Sequence, residues 1–100
     1  MYVALTVRKL KPGSYDDWRK AWAPPEGSWP LGSRKALILR NVNHPNEVIA
    51  FGFFDGDPTS MAGDKRLAKL QQSRLEAMKP YIKEIGADGI YEVVEEITPS

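Results

Sequence analysis

The chain has 100 residues, the size of one domain, and its 42% hydrophobic and 27% charged residues are typical of a globular protein. Its formal net charge of +1 supplies no field that would recruit a nucleic acid or a membrane surface. With no Cys and one His, disulfides, thiolate nucleophiles and multi-His metal sites are excluded. We therefore treat residues 1–100 as a single domain that lacks most familiar catalytic machinery.

We expect no targeting or membrane segment in this sequence. The apolar N-terminus reaches Arg8 too soon for a signal peptide, and no apolar stretch approaches the ~18 residues of a membrane span. We expect a cytoplasmic protein that has no membrane partner.

The first two predicted elements are a strand and a short helix. Residues 2–10 alternate apolar and more polar side chains with a period of two, which predicts a strand. A Lys-Pro-Gly turn ends that strand. A helix over residues 14–23 follows, with Ser14 as its N-cap and aromatic residues along one face.

A long loop and a hairpin come next. Residues 23–33 are rich in Pro and Gly and have no periodicity, and a loop of that length in a small domain is typical of a lid or a binding loop. Strands over residues 34–42 and 47–55 follow, joined by an Asn-His-Pro-Asn turn.

The second predicted helix is longer. Asp57, followed by a proline, is a helix start, and apolar residues recur near a 3.6-residue period to about Met78. Pro80 should interrupt the helix, with a further turn or two to Ile85 and a stop at Gly86.

A last strand over residues 88–97 completes the order β-α-β-β-α-β. With right-handed crossovers this order predicts a ferredoxin-like α+β fold, in which a four-stranded antiparallel sheet carries both helices on one face.

The third strand is apolar on both faces. Two helices on one side of the sheet cover one face only, and an exposed apolar face marks an interface. We therefore predict that the partner of this chain is a second copy, with the two sheets packed face to face. The two sets of side chains are Val48, Ala50, Gly52 and Phe54 on one face and Ile49, Phe51 and Phe53 on the other.

Four stretches together resemble the dimeric α+β barrel superfamily and, within it, the antibiotic biosynthesis monooxygenase-like domains. They are residues 11–22 (KPGSYDDWRKAW), 43–55 (NHPNEVIAFGFFD), 78–82 (MKPYI) and 90–95 (IYEVVE). The resemblance implies a barrel dimer with a pocket between sheet and helices in each subunit. It also implies oxidation of phenolic or hydroquinone-like aromatics by molecular oxygen, with no metal and no organic cofactor.

The resemblance also suggests site residues. Catalytic relatives hold their substrate with an Asn, a Trp and sometimes a Tyr or Arg, and the nearest matches here are Asn41 and Trp22. Haem-degrading relatives need a helical His, whereas His44 lies in the predicted hairpin turn. We expect His44 to be a solvated turn residue.

The polar candidates lie at the end of strand two. Asn41 and Arg40 are polar residues in an otherwise apolar strand, and with Trp22 they form the predicted catalytic set. They face opposite ways, so at most one faces a given pocket, and solvation at the strand end is the structural alternative for both.

The aromatic candidates are predicted to bind substrate. Trp29 lies in the Pro- and Gly-rich loop, where it either fastens the loop to the domain or caps a ligand cavity. Trp18 shares a helical face with Trp22, so core packing is the alternative for both. Tyr81 follows the helix break and is the third candidate, with core or surface placement as its alternative.

RNA binding is the rival that the element order itself raises. Phe51-Gly52-Phe53 matches the centre of an RNA-recognition motif, but the flanking residues fail and the chain has no basic excess. No nucleic-acid partner is expected.

Two interpretations of the function remain open. One is a cofactor-independent oxygenase, and the other is a non-catalytic dimer that binds a small molecule or has no active pocket. A cavity beneath residues 23–33 with a convergent polar group would favour the first.

Overall fold

Four antiparallel strands form one sheet in the order β2-β3-β1-β4, and two helices pack on one of its faces. The computed structural model describes residues 1–24, 29, 32–59 and 63–99. The predicted ferredoxin-like α+β fold is confirmed. In chain order the elements are β1 (Tyr2–Leu10), α1 (Tyr15–Trp22), β2 (Ser33–Arg40), β3 (Glu47–Phe54), α2 (Lys65–Met78), a 3₁₀ turn (Lys79–Tyr81) and β4 (Ile82–Glu92).

Helix α1 follows the predicted turn but not the predicted capping. Ser14 precedes the helix, yet its side chain makes no cap hydrogen bond. Its carbonyl oxygen instead accepts the backbone N–H of Trp18 at 2.9 Å. Acidic residues in the first turn and basic residues in the last complement the helix dipole and favour the helix without a side-chain cap.

The helix start predicted at Asp57 is confirmed, because Pro58 and Thr59 are helical, and a separate helix, α2, begins at Lys65. Asp57 accepts the backbone N–H of Thr59 at 2.9 Å, as an N-cap would. Residues 60–62 lie outside the described part of the chain. The helix over Lys65–Met78 has its own N-cap in Asp64, whose Oδ1 accepts two backbone N–H groups of the first turn.

The prediction of further helix to Ile85 with a stop at Gly86 is wrong. After the 3₁₀ turn the chain enters β4, which runs from Ile82 to Glu92 instead of over residues 88–97. Its pairing with β1 is a long-range contact that no local helix signal reports. Gly86 is needed within that strand, because a Cβ there would lie 3.1 Å from Cγ1 of Val7.

The core lies at one end of the helix layer. Trp18 of α1 and Met78 of α2 pack together over the sheet, and Trp18 has no solvent exposure. The buried apolar cluster consists of Leu10, Trp18, Val48, Ala50 and Met78. Among the described residues, no helix is long and apolar enough to cross a membrane.

The sheet face that carries no helix is apolar, as the strand-three pattern predicts. The strand register places side chains of all four strands on it, and Leu37, Leu39 and Tyr91 are each more than two-fifths exposed in the single chain. We call this the open face. Its apolar members are Val3, Leu5, Val7, Leu37, Leu39, Ile49, Phe51, Phe53 and Tyr91.

Candidate functional site

A cavity of about 900 Å³ lies between the sheet and the first half of α2. Several of the sheet residues that line it are small, and this leaves room between the strands and the helix. That volume is at the upper end of the range found for small-molecule sites. The small residues of its floor are Ala4, Thr6, Ala36, Ala50 and Gly52.

The walls are mostly apolar and come from both helices. Leu67 and Leu70 of α2 line one side, and Trp22 at the end of α1 lines another. Trp29 contacts Trp22 edge-on, with ring centroids 6.0 Å apart, and is 41% exposed. The same two tryptophans line a smaller adjoining cleft of about 400 Å³. Paired indoles at a cavity mouth suit a flat aromatic guest.

Arg74 of α2 is a half-buried cation on this cavity. Its Nε donates to the carbonyl oxygen of Trp22 at 2.8 Å, and a terminal nitrogen donates to the same oxygen. The other terminal nitrogen donates to Oε1 of Gln71 at 2.7 Å. Burial lowers the pKa of the Arg74 guanidinium below its ordinary value.

Arg74 has no carboxylate partner among the described residues. Its hydrogen bonds to Trp22 and Gln71 occupy three of the five guanidinium N–H donors, and the acceptors are a side-chain amide and a backbone carbonyl. A half-buried charge without a counter-ion is costly, and a ligand oxyanion would offset that cost. The arrangement therefore favours a negatively charged or strongly polarised oxygen.

A second polar group of the cavity comes from edge strand β4. Asp88 lines the cavity, and its Oδ2 accepts a hydrogen bond from Arg8 at 2.8 Å. Arg8 is 5% exposed and also donates to the carbonyl oxygens of Val7 and Ala87. Over the residues that the structure describes, no group of three or more His, Asp or Glu side chains is placed to hold a metal ion.

Of the predicted aromatic candidates, the structure brings two together at the cavity. Trp22 and Trp29 line it, the placement that a pocket role requires. Trp18 lies one turn before Trp22 and is wholly buried over Val48, in the packed core. Tyr81 packs against the same core from the 3₁₀ turn and does not line the cavity.

Neither polar candidate reaches the cavity. Asn41 lies in the hairpin turn, where its Oδ1 accepts the backbone N–H groups of Asn43 and His44 and its Nδ2 donates to Glu47 at 3.1 Å. Arg40 is exposed, and its guanidinium lies 4.6 Å from the centroid of the Tyr15 ring. Turn formation and ring stacking thus account for both residues.

The sequence patterns did contain a signal for the missed residues. Arg74 stands at a core-facing position of the α2 apolar stripe, in helical register with Leu67, Leu70 and Met78. Arg8 likewise occupies a helix-facing position of β1, beside Val48 in the register. A charge on an apolar face is the feature that would have indicated both residues.

Comparisons with known proteins support the fold. No family model matches the chain, and no curated protein matches it. Among solved structures, a proposed antibiotic biosynthesis monooxygenase from Chloroflexus aurantiacus is similar, with a TM-score of 0.69, 16% identity, and coverage of 97% of this chain and 96% of that one. An uncharacterised NIPSNAP domain protein from Burkholderia xenovorans has a TM-score of 0.66 at 17% identity, with both chains fully covered.

A polyketide cyclase has the same fold. Tetracenomycin F2 cyclase from Streptomyces glaucescens aligns over the whole of both chains, with a TM-score of 0.64 and 20% identity. At these identities the likeness concerns the fold alone. The predicted resemblance to antibiotic biosynthesis monooxygenase-like proteins is confirmed at that level.

Proposed function

We propose that the protein is a homodimeric, cofactor-independent oxygenase that binds a small phenolic or hydroquinone-like aromatic in the cavity over Gly52. The observation that carries the proposal is Arg74, a half-buried guanidinium on an apolar cavity with no carboxylate partner among the described residues. The structural neighbours include a proposed antibiotic biosynthesis monooxygenase and a polyketide cyclase, and these names are consistent with an oxygenase of this fold.

The chemistry asks little of the protein beyond stabilising an anion. A guanidinium beside a phenol or an enolisable ketone lowers the pKa of the bound compound and favours its electron-rich anion. Such an anion is itself the reductant for oxygen: anthrone and O₂ give anthraquinone and water, with no electrons needed from elsewhere. Trp22 and Trp29 would keep water away from the reacting carbon.

The open face supports the homodimer in this proposal. Leu37 and Leu39 are each over two-fifths exposed, and they lie next to Phe51 and Ile49 on this face. If the open faces of two copies pack against each other, the apolar side chains of both faces are buried. Size-exclusion chromatography with light scattering should give twice the chain mass of 11.2 kDa. A species of one chain mass at micromolar concentration would contradict the dimer.

A non-catalytic binding protein is the second candidate, because the cavity offers little acid–base chemistry. Asp88 is the one carboxylate among the described residues that line it, and one of its oxygens already accepts from Arg8. A carrier of aromatic anions needs only the apolar walls and Arg74.

Oxygen uptake separates the two candidates. With anthrone or a hydroquinone, the wild-type protein should consume O₂, and Arg74→Met should lower the rate at least about tenfold, since a charge-assisted hydrogen bond is lost. The matched control is Lys69→Met, an exposed cation on the same helix. If aromatic anions bind but no oxygen is consumed, the protein is the non-catalytic binding protein. Equal rates of oxygen uptake in wild type and Arg74→Met would contradict the role of Arg74 in the mechanism.

A further inference from the structure

We propose that Asp88 is a specificity-determining residue, whose Oδ1 accepts a hydrogen bond from a ligand hydroxyl on the side of the cavity away from Arg74. The inference rests on the proposed binding of an aromatic anion in this cavity. It adds a second requirement for the ligand. The preferred class is an aromatic anion that carries a hydroxyl at its other end.

The first argument is that only one oxygen of the Asp88 carboxylate accepts a hydrogen bond among the described residues. Oδ2 accepts from Arg8, which is almost fully buried and is fixed in turn by two backbone carbonyl oxygens. Oδ1 has no donor among the described residues, and the side chain is 57% exposed. A cavity-lining carboxylate that is fixed through one oxygen by a buried cation keeps its other oxygen available as an acceptor.

The second argument is that the backbone directs this side chain. The β1–β4 register is irregular between Thr6, which pairs with Asp88, and Arg8, which pairs with Ile85, so β4 holds an extra residue there. Such bulges re-aim a side chain. Gly86 permits the close approach to β1, since a Cβ at that position would crowd Val7.

The third argument is the relative placement of the two polar groups. Arg74 reaches to the end of α1, a helix that packs over β2 and β3. Asp88 lies on edge strand β4, two strand spacings from β3, which is about 10 Å across the sheet. The apolar surface between them is set by Gly52, Thr6 and Ile90. A flat system of two fused rings with an oxygen substituent at each end is about as long as this strand separation.

The test compares 2-naphthoate, 6-hydroxy-2-naphthoate and 6-methoxy-2-naphthoate by fluorescence titration. We expect the carboxylate of each compound to contact Arg74. At position 6 the first compound has only hydrogen, the second has a hydroxyl that can donate a hydrogen bond, and the third has a methoxy group that cannot donate. A hydroxyl on a partly exposed carboxylate should lower Kd by about fivefold relative to the methoxy compound. The Asp88→Asn variant keeps an oxygen for Arg8 but can turn an amide N–H towards the ligand, so the preference should disappear.

A matched control uses the same strand. Glu84→Gln changes a carboxylate on β4 that pairs with Lys9 on the open face, so it should retain the fivefold preference. A purely structural role for Asp88 predicts altered thermal stability in Asp88→Asn with no change in ligand preference, and that result would overturn the inference.

The three ligands test the role of Asp88 with the wild-type protein alone, so the test holds even if the Asp88→Asn variant does not fold. Equal affinities of the three compounds for the wild-type protein overturn the role of Asp88 and leave the proposed cavity function standing. Binding of none of them contradicts the proposed function, and this inference with it.

Discussion

The layer between the helices and the sheet has two halves. The same helices and strands form both halves, but one half is packed with side chains and the other contains a cavity. At the half near the 3₁₀ turn, Trp18 and Met78 pack with Val48 in the buried apolar cluster. At the other half, Trp22 and Leu70 stand over Gly52 and leave a cavity of about 900 Å³. We call these the packed half and the hollow half.

The difference lies in side-chain size on the sheet. Strand β3 carries Val48 under the packed half and Gly52 under the hollow half, four residues apart on one face. Both halves also contain an arginine, but Arg8 has a carboxylate partner and Arg74 has none among the described residues. The hollow half combines an open cavity with an arginine that has no carboxylate partner among the described residues, and this combination is why we propose the binding site there.

Removing the largest side chain of the packed half should have the largest effect. Trp18→Ala should lower the free energy of unfolding by about 3–5 kcal/mol, because a fully buried indole leaves a cavity that its neighbours cannot fill. Urea denaturation measures it. Trp29→Ala in the hollow half, with a partly exposed ring, is the comparison and should cost far less. Similar losses would show that the two halves do not differ in packing.

The proposed role of the open face as the dimer interface can be tested without changing the packed half or the hollow half. Leu39→Asp places a charge where the proposed dimer is apolar and should weaken association by a few kcal/mol. Light scattering should then report one chain mass. Val42→Asp is the control, since Val42 is 92% exposed in the hairpin turn and should leave the dimer intact. A dimer that survives Leu39→Asp would place the interface elsewhere.

Filling the hollow half should cost affinity but not stability. Gly52→Val adds a side chain towards the cavity, and its Cβ would meet no atom closer than 3.8 Å. A valine also suits a strand better than glycine, so the protein should keep or gain about 0.5–1 kcal/mol of stability. The Kd for 2-naphthoate should rise at least about tenfold, roughly 1.4 kcal/mol. A destabilised variant with unchanged affinity would contradict the hollow half as the site.

The smallest effect is expected at Asn41. Asn41→Ala removes the acceptor of two backbone N–H groups in the turn and should cost about 1 kcal/mol in urea denaturation. Affinity for 2-naphthoate should not change, because Asn41 does not line the cavity. A marked loss of affinity would restore the role that the family resemblance suggests for this residue.

Local patterns predicted most of the fold. Alternation in β1 and β3, the hairpin between β2 and β3 and the order of elements gave the sheet topology and the apolar open face. The start of β4 was missed because Ile85 continues a helical spacing locally, whereas its strand pairing with Arg8 is a contact between distant parts of the chain.

The site was less predictable for the same physical reason. Trp18 and Trp22 are equivalent on a helical wheel, and what separates them is the residue that lies beneath each one in the sheet. Arg74 was passed over because an apolar stripe tolerates an occasional long charged side chain. Whether such a charge has a partner depends on the tertiary structure.

A crystal structure of the protein with 2-naphthoate tests the central claim most directly. We expect the ring over Gly52 beside Trp22, with its carboxylate on the guanidinium of Arg74. A ring bound elsewhere, or a carboxylate that does not contact Arg74, would contradict the assignment of the hollow half as the site.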